Sequence, residues 1–129
     1  SNIERIADFA VNTAKATIRI SKTDSILSKT SLVEMKNISM DMLKKSMTAF
    51  IEEDIALAKA VGGLDDKVDQ KNHENYAVLT DYLKESPQDI EQTLQLLFIN
   101  RFVERAADHI TNMAESTAYF IKGQLFDLN

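Results

Sequence analysis

Cysteine is absent from the 129 residues, proline occurs once and glycine three times. Without cysteine the chain has no disulfides, no thiolate metal sites and no cysteine nucleophile, and it suits a reducing compartment. So little proline and glycine argues against a turn-rich all-β protein. No apolar run approaches the roughly 20 residues that a helix needs to span a bilayer, so a soluble chain is expected. An excess of positive charge is missing too. Fifteen basic side chains against 20 acidic ones give a net charge of −5, which supplies no general pull toward nucleic acid or anionic lipid. The expected partners are cations or proteins. No methionine precedes Ser1-Asn2, and an amphipathic pattern begins at once at Ile3. A piece of a longer chain is therefore expected, a tag remnant ahead of Ile3 being the alternative.

What the chain has is 44% hydrophobic residues, enough for one domain with a real core, and a segment that occurs twice. Glu4, Asp8 and Asn12 recur as Glu104, Asp108 and Asn112, a constant offset of 100 positions. Spacings of four place each trio on a single helical face, so both copies carry a ladder of oxygen donors. Val103, Ala106, Ala107, Ile110, Met113 and Ala114 take another face in the second copy, and Ile3, Ile6, Ala7, Ala10 and Ala14 do so in the first. Carboxylates at i and i+4 repel by a few tenths of a kcal/mol, so placing such a pair twice needs a reason. One reason is a solvated ion-pair network, since Arg5 precedes Asp8 by three, Arg105 precedes Asp108 and Arg101 precedes Glu104. The other is a bound cation.

Taken in order, Ile3, Ile6, Ala10, Ala14, Thr17 and Ile18 predict a helix over residues 1–20. Residues 21–30 are polar and read as a linker. Ser31 with Glu34 matches a capping box, opening a helix whose face is Leu32, Met35, Ile38, Met42, Leu43, Met47 and Phe50, to about Glu52. Four of the five methionines (Met35, Met40, Met42 and Met47) fall here and read as gap-filling core. Asp54 is a cap for a third helix carrying Ile55, Ala58, Val61, Leu64 or Val68, Tyr76, Leu79 and Leu83, to about Glu85. Gly62-Gly63, costing roughly 1 kcal/mol each relative to alanine, predicts a kink or break. Ser86-Pro87 is a strong helix start, and Gly123 stands where a stop belongs. The resulting helix of about 36 residues is on the order of 50 Å long. The expected fold is all-α, an elongated antiparallel bundle.

Nucleophilic catalysis finds little support. Serines sit in caps and connectors, no nucleophile elbow or phosphate-cradling glycine loop occurs, and His73 and His109 read as surface or boundary residues. A metal-dependent hydrolase would need a general base beside the metal. A carboxylate site in the bundle is better supported: Asp65 and Asp69 on one helix, facing Glu104 and Asp108 on an antiparallel neighbour, bring four anionic donors together. Iron(III), manganese, magnesium, calcium and zinc all suit such ligands. Gln70 and Ala106 precede the two histidines by three, where the di-iron oxidase pattern requires glutamate.

Glu4-Arg5-Ile6-Ala7-Asp8 with Asn12, Glu104-Arg105-Ala106-Ala107-Asp108 with Asn112 to Glu115, and Asp66-Lys67-Val68-Asp69 resemble the motifs of the PhoU family of bacterial phosphate-signalling proteins, whose chains hold two three-helix repeats. Phe120-Ile121-Lys122-Gly123 resembles the family's closing segment, and Met42-Leu43 through Phe50 its opening helix. Ala106 departs from the usual isoleucine, and Ala7 and Ala107 from the common glycine. The resemblance covers nearly the whole chain. It implies that residues 1–20 are the third helix of a first repeat, residues 21–30 a linker, residues 31–123 the whole second repeat and residues 124–129 a tail. It implies a multinuclear cluster, of iron or zinc, at Asp65, Asp69, Glu104 and Asp108, an incomplete second site at Glu4 and Asp8, and Asn12 and Asn112 in support. It further implies a non-catalytic cytoplasmic accessory protein, an adaptor for the phosphate ABC transporter and its sensor kinase that restrains the phosphate-starvation response. No nucleic acid is implied, and peripheral membrane association is. The uncovered apolar face of residues 1–20 predicts self-association, as a homodimer.

Overall fold

A computed structural model describes residues 24–127, with side chains described over 25–123. Among the described residues four α-helices follow one another: α1 (Asp24–Leu27), α2 (Leu32–Glu52), α3 (Ile55–Glu85) and α4 (Ile90–Asp127), the last preceded by a 3-10 turn, Pro87–Asp89. The described residues contain no strand. Tyr82 pairs with Asp89, Asn75 with Asn100 and Asn100 with Asn72, so α4 runs back along α3. Likewise Ser31 meets Asn75, and Glu34 meets Lys71, so α2 and α3 are antiparallel. The three long helices all pack on one another, giving the expected all-α antiparallel bundle. The first helix expected from the sequence, residues 1–20, and residues 21–23 of the expected linker lie outside the described residues.

The core follows a seven-residue recurrence. Met35, Met42 and Ala49 are buried on α2, Val61 and Val68 on α3, and Leu96, Val103 and Ile110 on α4. That spacing keeps one seam facing its neighbours along a long helix. Asn75 continues the α3 series and is itself buried, as is Asn100 on α4. Asn75 Nδ2 donates to Asn100 Oδ1 at 3.1 Å, Asn100 Nδ2 donates to the Asn72 carbonyl at 3.0 Å, and Asn75 Oδ1 accepts the Ser31 N–H at 2.7 Å. One polar link thus joins all three helices.

Several local expectations give way to tertiary contacts. Ser31 makes no side-chain cap: its own N–H is held by Asn75, the Leu32 N–H goes to Thr30 Oγ1 at 3.3 Å, and Glu34 is drawn to Lys71 at 3.1 Å. Gly62-Gly63 does not break α3, because Ala58, Val61 and Val68 on either side are buried and packing of that face outweighs glycine's local cost. Gly123 does not stop α4, which continues to Asp127. A glycine ends a helix by turning left-handed, and no described glycine has positive φ. The linker contains a helical turn, and its Ile26 is buried in the core. Met47 and Phe50, expected inside, are 52% and 63% exposed, and Met40 and Tyr76 are also exposed. Of the four clustered methionines, Met35 and Met42 alone fill the core.

Other signals act as read. Asp54 caps α3, its Oδ1 accepting the Leu57 N–H at 3.0 Å. Between α2 and α3 the chain turns through Glu53, whose φ of 55° is left-handed, and the Asp54 N–H closes on the Ala49 carbonyl at 3.0 Å.

Candidate metal centre

Asp65 and Asp69 stand one turn apart on α3. Asp108 comes from α4, where Val103, Ala107 and Ile110 are buried and turn the intervening acidic positions toward the rim of the α3/α4 seam. Asp65, Asp69 and Asp108 each offer a carboxylate oxygen, and these oxygens all lie within 4.8 Å of one another. Glu104, one turn before Asp108, stands close enough to Asp69 and Asp108 to feel both charges. Asp65 and Asp69 are half-buried and Asp108 exposed, so the cluster opens to solvent on one side.

The electrostatics run one way. Desolvation, followed by the charges of Asp69, Asp108 and Asp66, pushes the Asp65 carboxyl up to about 6 from 3.8, with the Thr111 hydroxyl opposing. Asp69 is raised by desolvation and then by Asp108 and Asp66, against His73. Glu104 is raised by desolvation, then by Asp108 and Asp69, against Arg101. Like charges gathered in a half-dry seam each disfavour the ionised form of the others.

One atom bears directly on whether a cation fits. Asp65 Oδ1 is buried and has no hydrogen-bond partner, and a buried anionic oxygen left unmatched is costly. Three or four carboxylates with one such oxygen suit a hard or borderline cation. The donor set therefore fits a carboxylate-held metal, with Asp65, Asp69 and Asp108 as the tight group and Glu104 beside it.

Residues 32–117 match the family model described as the PhoU domain. The chain belongs to the PhoU family. Among its relatives, a protein of Clostridium acetobutylicum named phosphate-specific transport system accessory protein PhoU homolog is 34% identical over 131 aligned residues, covering 100% of this chain and 59% of the relative. PhoU homologs of the same description from Aquifex aeolicus and Deinococcus radiodurans are 34% and 28% identical, covering 97% and 95% of this chain and 57% and 58% of their own lengths. The chain thus spans less than two thirds of these PhoU proteins.

Of the residues singled out from the sequence, Asp65, Asp69 and Asp108 are brought together and Glu104 stands beside them. Asn112 is exposed on α4, and the residue set against Asp65 is Thr111. Thr111 was legible in principle, standing three after Asp108 on the same face. Glu4, Asp8 and Asn12 lie outside the described residues. No described helix is long and apolar enough to cross a membrane.

Proposed function

We propose that this chain is the metal-holding part of a cytoplasmic accessory protein of a phosphate transport system, an adaptor between the phosphate ABC transporter and its sensor kinase that restrains the starvation response. The names of its PhoU relatives support the accessory role. In this reading residues 31–123 are one three-helix repeat.

The observation that carries the metal reading is the convergence of Asp65, Asp69 and Asp108, from two helices, within 4.8 Å. A bound cation supplies positive charge that removes their mutual repulsion and ties α3 to α4 at this point. Asp65, Asp69, Asp108 and Glu104 would hold it, as one iron or zinc or as a multinuclear group. The role is structural or presentational, with no catalytic step, so a phosphatase screen with added divalent metals should give no turnover.

Elemental analysis after purification without chelator tests the centre. Wild type should carry metal, and Glu104→Ala and Asp69→Ala should lose most of it. Equal content in all three proteins removes the assignment and favours the alternative, a metal-free interaction module with surface ion pairs. The adaptor role is tested by binding of the chain to the transporter's cytoplasmic subunit and to the kinase's cytoplasmic region. Self-association belongs to the same reading: Phe50 and Ile51 on α2 and Phe98 on α4 are exposed, and a clean monomer by light scattering counts against it.

A further inference from the structure

We infer that the buried Asn75–Asn100 pair is a positioning device that fixes the axial register of α3 against α4 and so brings the carboxylates of the two helices together before any cation arrives. The inference rests on the metal-centre reading for its purpose, but not for its geometry.

The turn Pro87–Asp89 and the Tyr82–Asp89 bond tie the helices at one end, but along the rest of the seam the apolar side chains do not single out one register. Val61, Val68 and Leu79 on α3 face Leu96, Val103, Ala107 and Ile110 on α4, and sliding one helix by a turn replaces apolar with apolar. The acids actively oppose the observed alignment, because Asp65, Asp69, Asp108 and Glu104 repel when brought level. A directional contact between the turn and the acids holds this alignment against that repulsion.

Asn75 and Asn100 supply that contact. Both are nearly inaccessible, at 1% and 3% exposure. Asn75 occupies the position seven after Val68, where the recurrence calls for an apolar side chain. A single buried asparagine at such a position selects one register, because every other alignment leaves its amide unpaired, and it does so at a cost in stability. Here the pairing is directional at both ends. Asn75 Nδ2 donates to Asn100 Oδ1, and Asn100 Nδ2 donates to the Asn72 carbonyl. The Ser31 N–H on Asn75 Oδ1 leaves the amide no freedom to flip without losing that bond. The lock sits next to the acids: Asn72 follows Asp69 by three residues and Asn100 precedes Glu104 by four, about 4.5 Å and about 6 Å along the respective axes. Over so short a lever the helices transmit alignment with little slack.

The test uses the whole 129-residue chain, which has no cysteine of its own. Spin labels at Lys59→Cys on α3 and Gln95→Cys on α4, both exposed, report the axial offset by pulsed electron resonance, and manganese(II) titration reports the site. The double variant Asn75→Leu plus Asn100→Leu should remain helical. It should add a second distance displaced by about 5 Å, one turn, and should bind manganese at least tenfold more weakly. A role in stability alone would move neither reading in a folded protein. A folded double variant with the wild-type single distance overturns the inference. If wild type binds no manganese, the metal reading fails, and the distance distribution still decides the register claim. Should the double variant not fold, Asn100→Ala, which removes the cross-helix bond and leaves Ser31 on Asn75, is read by the same distances with the same criterion.

Discussion

Asp65→Asn should make the metal-free protein more stable and the metal-saturated protein less so. In the absence of metal, wild type holds a carboxylate whose ionised form is disfavoured by burial and by Asp69, Asp108 and Asp66, with its pKa at about 6 against an ordinary 3.8. At about 1.4 kcal/mol per unit the shift corresponds to ~3 kcal/mol. Asp65 is only half-buried, so solvent screening reduces this to on the order of 1 to 2 kcal/mol. The sign follows from proton linkage: between the two values the folded state holds the proton and the unfolded state does not, so stability falls as pH rises through about 6. Asp69 and Glu104 are raised as well and act in the same direction. Urea unfolding in chelator should therefore place Asp65→Asn above wild type by about 1 to 2 kcal/mol at pH 7.5. The gap should close as the pH falls toward 4, where wild type has taken up its proton. Saturating manganese should invert the order, since metal at a hundredfold excess over its dissociation constant adds ~2.7 kcal/mol to a protein that binds it and much less to one missing a ligand. A variant less stable than wild type in chelator, with an unchanged pH profile, would refute the electrostatic reasoning. A variant that behaves as expected in chelator but shows no inversion would refute the metal alone.

Glu53→Gly should raise stability by about 1 kcal/mol, because a left-handed φ of 55° strains a side chain and suits glycine; an unchanged urea midpoint would show that the turn relaxes. Asp54→Ala should cost about 1 kcal/mol through loss of the bond to the Leu57 N–H, seen as a lower midpoint with the same slope. Gly63→Ala should stabilise by roughly 0.5 to 1 kcal/mol, since the added Cβ meets nothing within 4 Å; destabilisation would mean that the glycine serves a motion of α3.

Where the chain's own local chemistry decides, the sequence is transparent. Asp54 sets the start of α3 through its cap. Pro87, with its ring-locked φ, opens the 3-10 turn ahead of α4, while Ser86 makes no side-chain cap and α4 itself starts at Ile90. Ser31 and Glu34 carry an equally good local signal and fail, because Asn75 and Lys71 compete for the same groups from 44 and 37 positions away. Met47 and Phe50 fail for another reason. Periodicity identifies an apolar face of a helix, but whether anything covers that face is a property of the assembled bundle. The acids were legible because identical spacing on two antiparallel helices forces like positions together at regular intervals. Asn75 and Asn100 were not, since an asparagine in a helix reads as surface. The available signal was their place in the core series, seven after Val68 on α3 and four after Leu96 on α4.

At Glu104 the direction of the shift is opposite to the one a solvated ion-pair ladder gives. In a solvated ion-pair ladder each carboxylate gains a cation, so its pKa moves down. At this seam the cations do act, Arg101 on Glu104 and His73 on Asp69, and in neither case do they prevail: both carboxyls remain raised. Burial and mutual repulsion win, and Asp65, raised furthest of the group, also keeps a buried oxygen without a hydrogen bond. An arrangement selected for the stability of the bare bundle would replace one of these acids with an amide or an apolar residue and gain by it. In the proposed reading these groups are held together against their own electrostatics for the cation they bind. The same reasoning accounts for the buried asparagines, Asn100 four residues before Glu104 and Asn75 six after Asp69, which give up apolar packing to hold that unfavourable alignment in place.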